Sequence, residues 1–263
     1  MAQTLAEIRE ALKAANRAEY EALARALAAD ERKGVKAALK SAARRFAAED
    51  AEAARLEGMY SFQAKLAGGG IAVGLDEVGR GPVAGPLAIG AVVLPDDPRV
   101  EGVNDSKQLS AERREEIAAV VREVAIAWDI EYIQPQEIDE HGMTWALRMA
   151  NLRAIATIEE QLSAKGASLD AVLLDGNAQH LDAREVNIVK GDGKCASIAA
   201  ASIIAKVDRD ALMCRYAEQF PQYGFESNKG YASAEHIEAI KQYGLSPVHR
   251  ASFCRAWTQE TLF

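Results

Sequence analysis

The sequence predicts an α/β protein: a mixed central sheet flanked by helices, with a helical N-terminal extension ahead of it. Three observations carry that expectation. After Gly70, short aliphatic runs alternate with longer helical patterns, the order that builds a sheet covered by helices. Three of those runs end in an acid followed within two residues by glycine, and in open α/β sheets the functional crevice lies off the strand ends. Residues 1–70 differ in kind: they are rich in Ala, Glu, Lys and Arg, contain no proline and carry helical periodicity.

The elements follow in order. From Thr4 to Ala29, Leu5, Ile8, Leu12, Tyr20, Leu23 and Leu27 recur at three- and four-residue steps, with one gap of eight, and predict an amphipathic helix. Asp30–Gly34 reads as a break, Val35–Leu66 as a second helix and Gly68-Gly69-Gly70 as a linker. Residues 1–70 are therefore expected to form an extension and 71–263 the main domain, closed by a helical tail. Ile71–Glu77 and Leu87–Leu94 read as an antiparallel strand pair, and Val124–Ile133 as a third strand. Ser110 is placed to cap a helix reaching Val124. Helical patterns fill 135–162, with Gly142 as a break. Ala171–Leu174 and Glu185–Val189 are strands, Cys195–Phe220 is a long helix stopped by Pro221, and 234–243 is a short helix.

Composition sets limits. At 263 residues the chain can bury a large core, and 49% hydrophobic with 27% charged residues is ordinary for a soluble protein. The net charge of −8 gives no general attraction to nucleic acid, so such a partner needs a local basic surface or bridging cations. Residues 1–70 hold 12 basic and 10 acidic residues, which leaves the rest with 19 against 29. Cys195, Cys214 and Cys254 are too scattered for a disulfide framework or zinc site. No N-terminal apolar core and no membrane-length run is present, so a cytoplasmic monomer with no membrane partner is expected.

The chemistry gathers at the strand ends. Asp76-Glu77, Asp175 and Asp192 each close an aliphatic run. Successive strand side chains point to opposite faces, so Asp76 and Glu77 share a site only if the strand ends or bends there; the glycines of Gly79-Arg80-Gly81 are expected to supply that bend. Four neighbouring carboxylates raise one another's pKa, and hard divalent cations relieve this; oxygen-only ligands favour Mg²⁺ or Mn²⁺ over zinc. Two such ions form the usual clamp for phosphodiester hydrolysis. No nucleophile elbow and no Walker loop is present. The competing reading is that these acids cap turns, and it weighs most for Asp192, which stands just ahead of a helix.

These residues also carry a resemblance. GLDEVGRGPVAGPL (74–87), NDSKQLS (104–110), LDGN (174–177), VKGDGKCASIAAASIIAKVDRD (189–210), YGFESNKGYAS (223–233) and HRASF (249–253) resemble ribonuclease HII, the prokaryotic type 2 ribonuclease H, over about residues 71–255 and in family order. DERKGV (30–35) is similar to the N-terminal extension of some bacterial members. The resemblance implies a ribonuclease H-like fold. It implies cleavage of the RNA strand of RNA–DNA hybrids, and nicking of duplex DNA 5′ to a single embedded ribonucleotide. Products would carry 3′-hydroxyl and 5′-phosphate ends, and the cofactor would be Mn²⁺ or Mg²⁺. It also assigns Asp76, Glu77, Asp175 and Asp192 as catalytic, metal-binding acids. Gly79, Arg80 and Gly81 would contact the 2′-hydroxyl and phosphates, Lys107 a phosphate, and Tyr231 the sugar. The family often has His where Asn228 stands, and the sister type HIII has Gly-Thr-Gly where Arg80 is central here.

Other groups are read more plainly. Lys194, Lys206 and Arg209 line either a nucleic-acid track or a solvated helix face. Ser197 and Ser202 read as a tightly packed helix side. The four histidines are far apart in sequence and predict no histidine metal site. His249-Arg250 is expected to hold the tail, and the three tryptophans to lie in the core. Residues 258–263 are too short and generic to read as a partner motif. A non-catalytic hybrid-binding module is the rival class, and the negative balance of 71–263 argues against it.

Overall fold

A computed structural model describes residues 3–258, which form two compact units divided between Glu57 and Gly58. In the first unit lie α1 (Leu5–Ala14), α2 (Arg17–Ala26) and most of α3 (Lys33–Leu66). Ile8, Leu12, Val35 and Ala42 are buried among Leu5, Tyr20, Leu23 and Leu39. The single helix expected over 4–29 is broken at Ala15-Asn16. Asn16 accepts from the Glu19 N–H while the Glu19 carboxylate takes the Asn16 N–H, a capping box that starts a new helix. The eight-residue gap in the apolar pattern falls at this break.

The second unit is built on a five-stranded sheet of order β3-β2-β1-β4-β5. Its strands are β1 (Ala72–Val78), β2 (Leu87–Val93), β3 (Ala127–Ile133), β4 (Ala171–Asp175) and β5 (Glu185–Ile188). β1 pairs antiparallel with β2 and parallel with β4, so the sheet is mixed, as the sequence predicts. Around it stand α4 (Ala111–Val124), α5 (Pro135–His141), α6 (Met143–Ser163), α7 (Ala196–Gln219), α8 (Phe225–Asn228), α9 (Ala234–Tyr243) and α10 (Arg255–Thr258). Residues 259–263, which include most of the generic C-terminal segment, lie outside the described residues.

The two sheet faces are packed differently. Val73 and Leu75 of β1 pack with Ala150, Ile155 and Ile158 of α6. On the opposite face, α7 lies almost against the backbone: a Cβ on Gly74 would meet Ile198 N at 2.3 Å, and one on Gly90 would meet Ala201 O at 2.2 Å. Glycine and the small residues of α7 therefore allow a helix–sheet approach that no larger pair permits. The end of α3 belongs to this unit, where Phe62 and Leu66 cover Leu173, Ile188 and Ile198. Gln63 Oε1 accepts the Ser197 N–H at 2.9 Å and supplies the cap that Cys195 does not. The three tryptophans are half-buried rather than central; Trp145 and Trp257 flank the core clusters.

Candidate active site

Strand register builds the site. Leu75 of β1 lies beside Leu174 of β4, and one step further on each strand stand Asp76 and Asp175. β5 follows on the outer side, with Ile188 beside Asp175. Lys190 then turns the chain in the left-handed region (φ 57°) into a 3-10 turn, Gly191–Gly193, which carries Asp192. The Gly191 N–H donates to Asp175 Oδ1 at 2.6 Å and fixes that carboxylate against the turn.

Asp76 and Glu77 differ in environment. The bend expected directly after them comes later, because Val78 still pairs with Ala88 and Gly79 (φ 86°) is the first residue to leave the strand. Strand alternation sends the two acids to opposite faces, but at this end of the strand both stay close enough to Asp175 to feel its charge. Asp76 shares the α7 face with Gly74 and Gly90, is 6% exposed and bonds to Ser202. Ser202 in turn bonds to Ser106 at 2.9 Å, which draws the Asp105-Ser106-Lys107 stretch to the acids. Glu77 lies on the α6 side, in a cavity of about 350 Å³ that it shares with Arg80, Thr144, Arg148, Asp175 and Asn177.

Electrostatics tie the acids together. Burial, aided by the charges of Glu77 and Asp175, pushes the Asp76 carboxyl up to about 8. Burial also raises Glu77; Arg80 opposes this and Asp175 adds to it. Asp192 is raised by burial and by Asp105 and Asp175, and Lys107, with Nζ 3.9 Å away, offsets part of this. Among the described residues no group of three or more acidic, His or Cys side chains is already drawn into a ligating arrangement. The donor set still fits a hard divalent cation: it is oxygen-only, and three of its carboxyls are held above their ordinary range by burial and by one another.

The turn beside the acids is held from beneath. Arg250, buried, donates to the carbonyls of Gly79 (2.6 Å), Arg80 (3.1 Å), Pro82 (2.9 Å) and Gly85 (3.0 Å). Arg209 donates to Ala84, Pro86 and Lys229. Arg209 thus neither lines a track nor sits on a solvated face: a side chain on Gly79 would meet its Nε at 2.1 Å. Among the described residues the N–H groups of Gly79, Arg80 and Gly81 have no hydrogen-bond partner; Gly79 is buried, while Arg80 and Gly81 are exposed. Arg80 is largely exposed and lies 3.5 Å from Glu77. Tyr231, 51% exposed, faces the same turn, with its ring carbon Cε1 3.8 Å from where a Gly81 Cβ would sit.

Two residues outside the sequence expectation matter here. Ser106 lies within the 104–110 motif, whose serine gives no separate signal, and Ser202 reads from the sequence only as packing. The fold also brings together two histidines that the sequence places far apart: His236 Nε2 and His249 Nε2 are 3.0 Å apart, and His236 Nδ1 reaches the Tyr231 carbonyl at 2.7 Å. Asp192 makes no side-chain cap to α7, while Asp175 does accept the Gly191 N–H of the neighbouring turn.

A mixed five-stranded sheet with helices on both faces and acids at adjacent strand ends defines a ribonuclease H-like protein. The sequence pattern described as Ribonuclease HII matches residues 73–256, and that of the Ribonuclease HII N-terminal domain matches 4–67. A ribonuclease HII of Ruminiclostridium cellulolyticum is 43% identical over 212 residues, 80% of this chain and 81% of that protein. One from Clostridium acetobutylicum is 41% identical over 232 residues, 86% and 88% of the two chains. Among solved structures, the ribonuclease H2 of Pyrococcus horikoshii OT3 superposes with a TM-score of 0.59 at 28% identity, covering 71% of this chain and 96% of that one. The chain belongs to the ribonuclease HII family. Membership makes it a type 2 ribonuclease H, an endoribonuclease of RNA–DNA hybrids in a family that uses divalent metal ions. Among the described residues no helix is long and apolar enough to cross a membrane.

Proposed function

We propose that the protein, beyond cutting the RNA strand of hybrids, nicks duplex DNA on the 5′ side of a single embedded ribonucleotide, leaving 3′-hydroxyl and 5′-phosphate ends, with Mn²⁺ or Mg²⁺ as cofactor. The observation that carries this reading is the Gly79–Gly81 turn, which follows the raised carboxyls directly in β1, has unpartnered N–H groups at the exposed Arg80 and Gly81, and has the Tyr231 ring beside Gly81. Backbone donors approach a phosphate or a 2′-hydroxyl more closely than side chains do, and the 2′-hydroxyl separates RNA from DNA. The Tyr231 face suits the sugar at the junction. Arg80 is free enough to meet a phosphate, and Lys107 stands beside Asp192 on the approach.

Asp76, Glu77, Asp175 and Asp192 are assigned to hold the cations. Bound divalent ions supply an attacking water of lowered pKa and charge relief for the leaving 3′ oxygen. The protein's own part is to orient: Gly191 fixes Asp175, Ser202 fixes Asp76, and Arg250 with Arg209 holds the turn in register with the acids. We assign this chemistry to residues 71–263, with 1–70 as a helical extension, in a cytoplasmic monomer.

The test is hydrolysis of a labelled RNA–DNA hybrid by the wild type and by Asp76→Asn and Asp175→Asn. Each variant is expected to lose about 10³-fold or more in rate while retaining wild-type circular dichroism, since one lost ligand forfeits about 4 kcal/mol of charge stabilisation. Wild-type rates in either variant would refute the assignment.

A further inference from the structure

We propose that the N-terminal unit carries a nucleic-acid contact of its own: a basic groove between α1 and α3 that grips the phosphate backbone of a duplex without reading sequence. The inference rests on the reading above in one respect, that a duplex is the substrate. The groove has a volume of about 410 Å³, and its lining includes Arg9 and Lys13 from α1 and Ala37, Ser41 and Arg45 from α3, with no acid.

Charge alternates along α1 and α2, but the first half of α3 is sorted. From Lys33 to Ala48 the sequence holds Lys33, Lys36, Lys40, Arg44 and Arg45, and no acid. The acids follow in Glu49, Asp50 and Glu52, and all are engaged, by Arg45, Arg17 and Arg55 respectively. Lys36 is taken by Glu31. That leaves Arg9, Lys13, Lys33, Lys40 and Arg44 exposed, with no ion-pair or hydrogen-bond partner among the described residues. A helix face made for solvation interleaves its signs. Here Lys36, Lys40 and Arg44 repeat at four-residue steps, where like charges repel. The first turn of α3 holds two lysines and no acid, which the helix dipole disfavours. Helix stability is spent on this arrangement, and a polyanion is the partner that would return it.

Shape and chemistry select phosphate over base. The floor is alanine and serine, so a backbone can approach closely. The lining offers no aromatic ring for stacking and no Asn or Gln to read a base edge, which leaves sequence-independent contact. Lys33 to Arg44 spans about 16 Å along the helix, the axial length of about five base pairs. With a net charge of −8, the protein gains no general attraction to a polyanion, so a local basic patch is one of the few ways it can add affinity.

The test uses the full chain with Arg9, Lys13, Lys40 and Arg44 changed together to Gln. Binding to an all-DNA duplex is measured in EDTA by anisotropy between about 50 and 200 mM salt, and KM and kcat are measured on an RNA–DNA hybrid with Mn²⁺. Expected are at least about tenfold weaker binding at low salt, a slope of log K against log salt shallower by about 3 to 4, a raised KM and an unchanged kcat. Unchanged affinity and slope would overturn the proposal. So would a variant that binds duplex normally but loses capture of poly-glutamate, which would make the partner an acidic protein. The double variant Arg9→Lys with Arg44→Lys keeps the charge and should keep the wild-type slope; a loss there would mean the shape, not the charge, binds. A wild type that holds the duplex yet cuts no hybrid would refute the functional reading and leave this inference to the salt slope.

Discussion

Burial sets Asp76 apart from the other acids. It is 6% exposed, bonded to Ser202, and pushed up to about 8 by burial and by its acidic neighbours. At pH 7 it is therefore mostly protonated, and if it serves as the proposed ligand it must give up that proton when a cation binds. Calorimetric Mn²⁺ titration at pH 7, run in buffers of different ionisation enthalpy, should show close to one proton released per protein. That release should vanish in Asp76→Asn, and a wild type that releases none would contradict this account of Asp76. At this scale the sequence shows the four acids because each closes an aliphatic run before glycine. It does not show that Asp76 and Glu77 face opposite ways, because the strand runs one residue beyond the acids, to Val78, before it turns. Nor does it show the supports. Ser106 and Ser202 are small polar residues with no periodic signature. A buried arginine such as Arg209 reads as a surface charge until the carbonyls that satisfy it are seen.

At the scale of elements, the C-terminal segment holds Tyr231 through a chain of ring nitrogens. The Ser246 N–H donates to His249 Nδ1 at 3.0 Å, so the His249 proton sits on Nε2 and is donated to His236 Nε2. His236 must then donate from Nδ1 to the Tyr231 carbonyl. Every position is filled only when both rings are neutral. Burial and His236 push His249 down from 6.5 to about 4, and burial lowers His236 as well. A histidine depressed in the folded state binds its proton more readily when unfolded, so it contributes stability above pH 6.5 that is lost as pH falls from 6.5 towards 4. The unfolding free energy from urea titration should drop over that window by on the order of 2 kcal/mol more in the wild type than in His249→Gln. Parallel pH profiles would sink the argument. Element order and type were largely legible, since aliphatic runs and helical periods are local. The histidine pair was not, because it forms between α9 and a loop that no local pattern joins. The α1–α2 break was half legible: the gap in the apolar pattern was present, but the capping box at Asn16 decides it.

For the whole molecule the governing fact is a net charge of −8 on a protein whose substrate is a polyanion. General attraction is excluded, so the proposed sources of affinity are local: cations at the acids, the Gly79–Gly81 turn, and the basic groove of the N-terminal unit. The fold class was legible because strand–helix alternation and acids at strand ends are features of the chain's order. The separate compactness of the first unit follows from contacts that the sequence does not spell out. The central claim, that this site cuts where a ribonucleotide interrupts DNA, is tested most directly with one labelled DNA duplex carrying a single ribonucleotide, beside an all-DNA control, in Mn²⁺, Mg²⁺ or EDTA. The account predicts a nick on the 5′ side of the ribonucleotide with either cation, none in EDTA, none in the control, and a nick weakened in Arg80→Ala. An intact single-ribonucleotide duplex under conditions where a long hybrid is cut, or a nick that persists in EDTA, would contradict it.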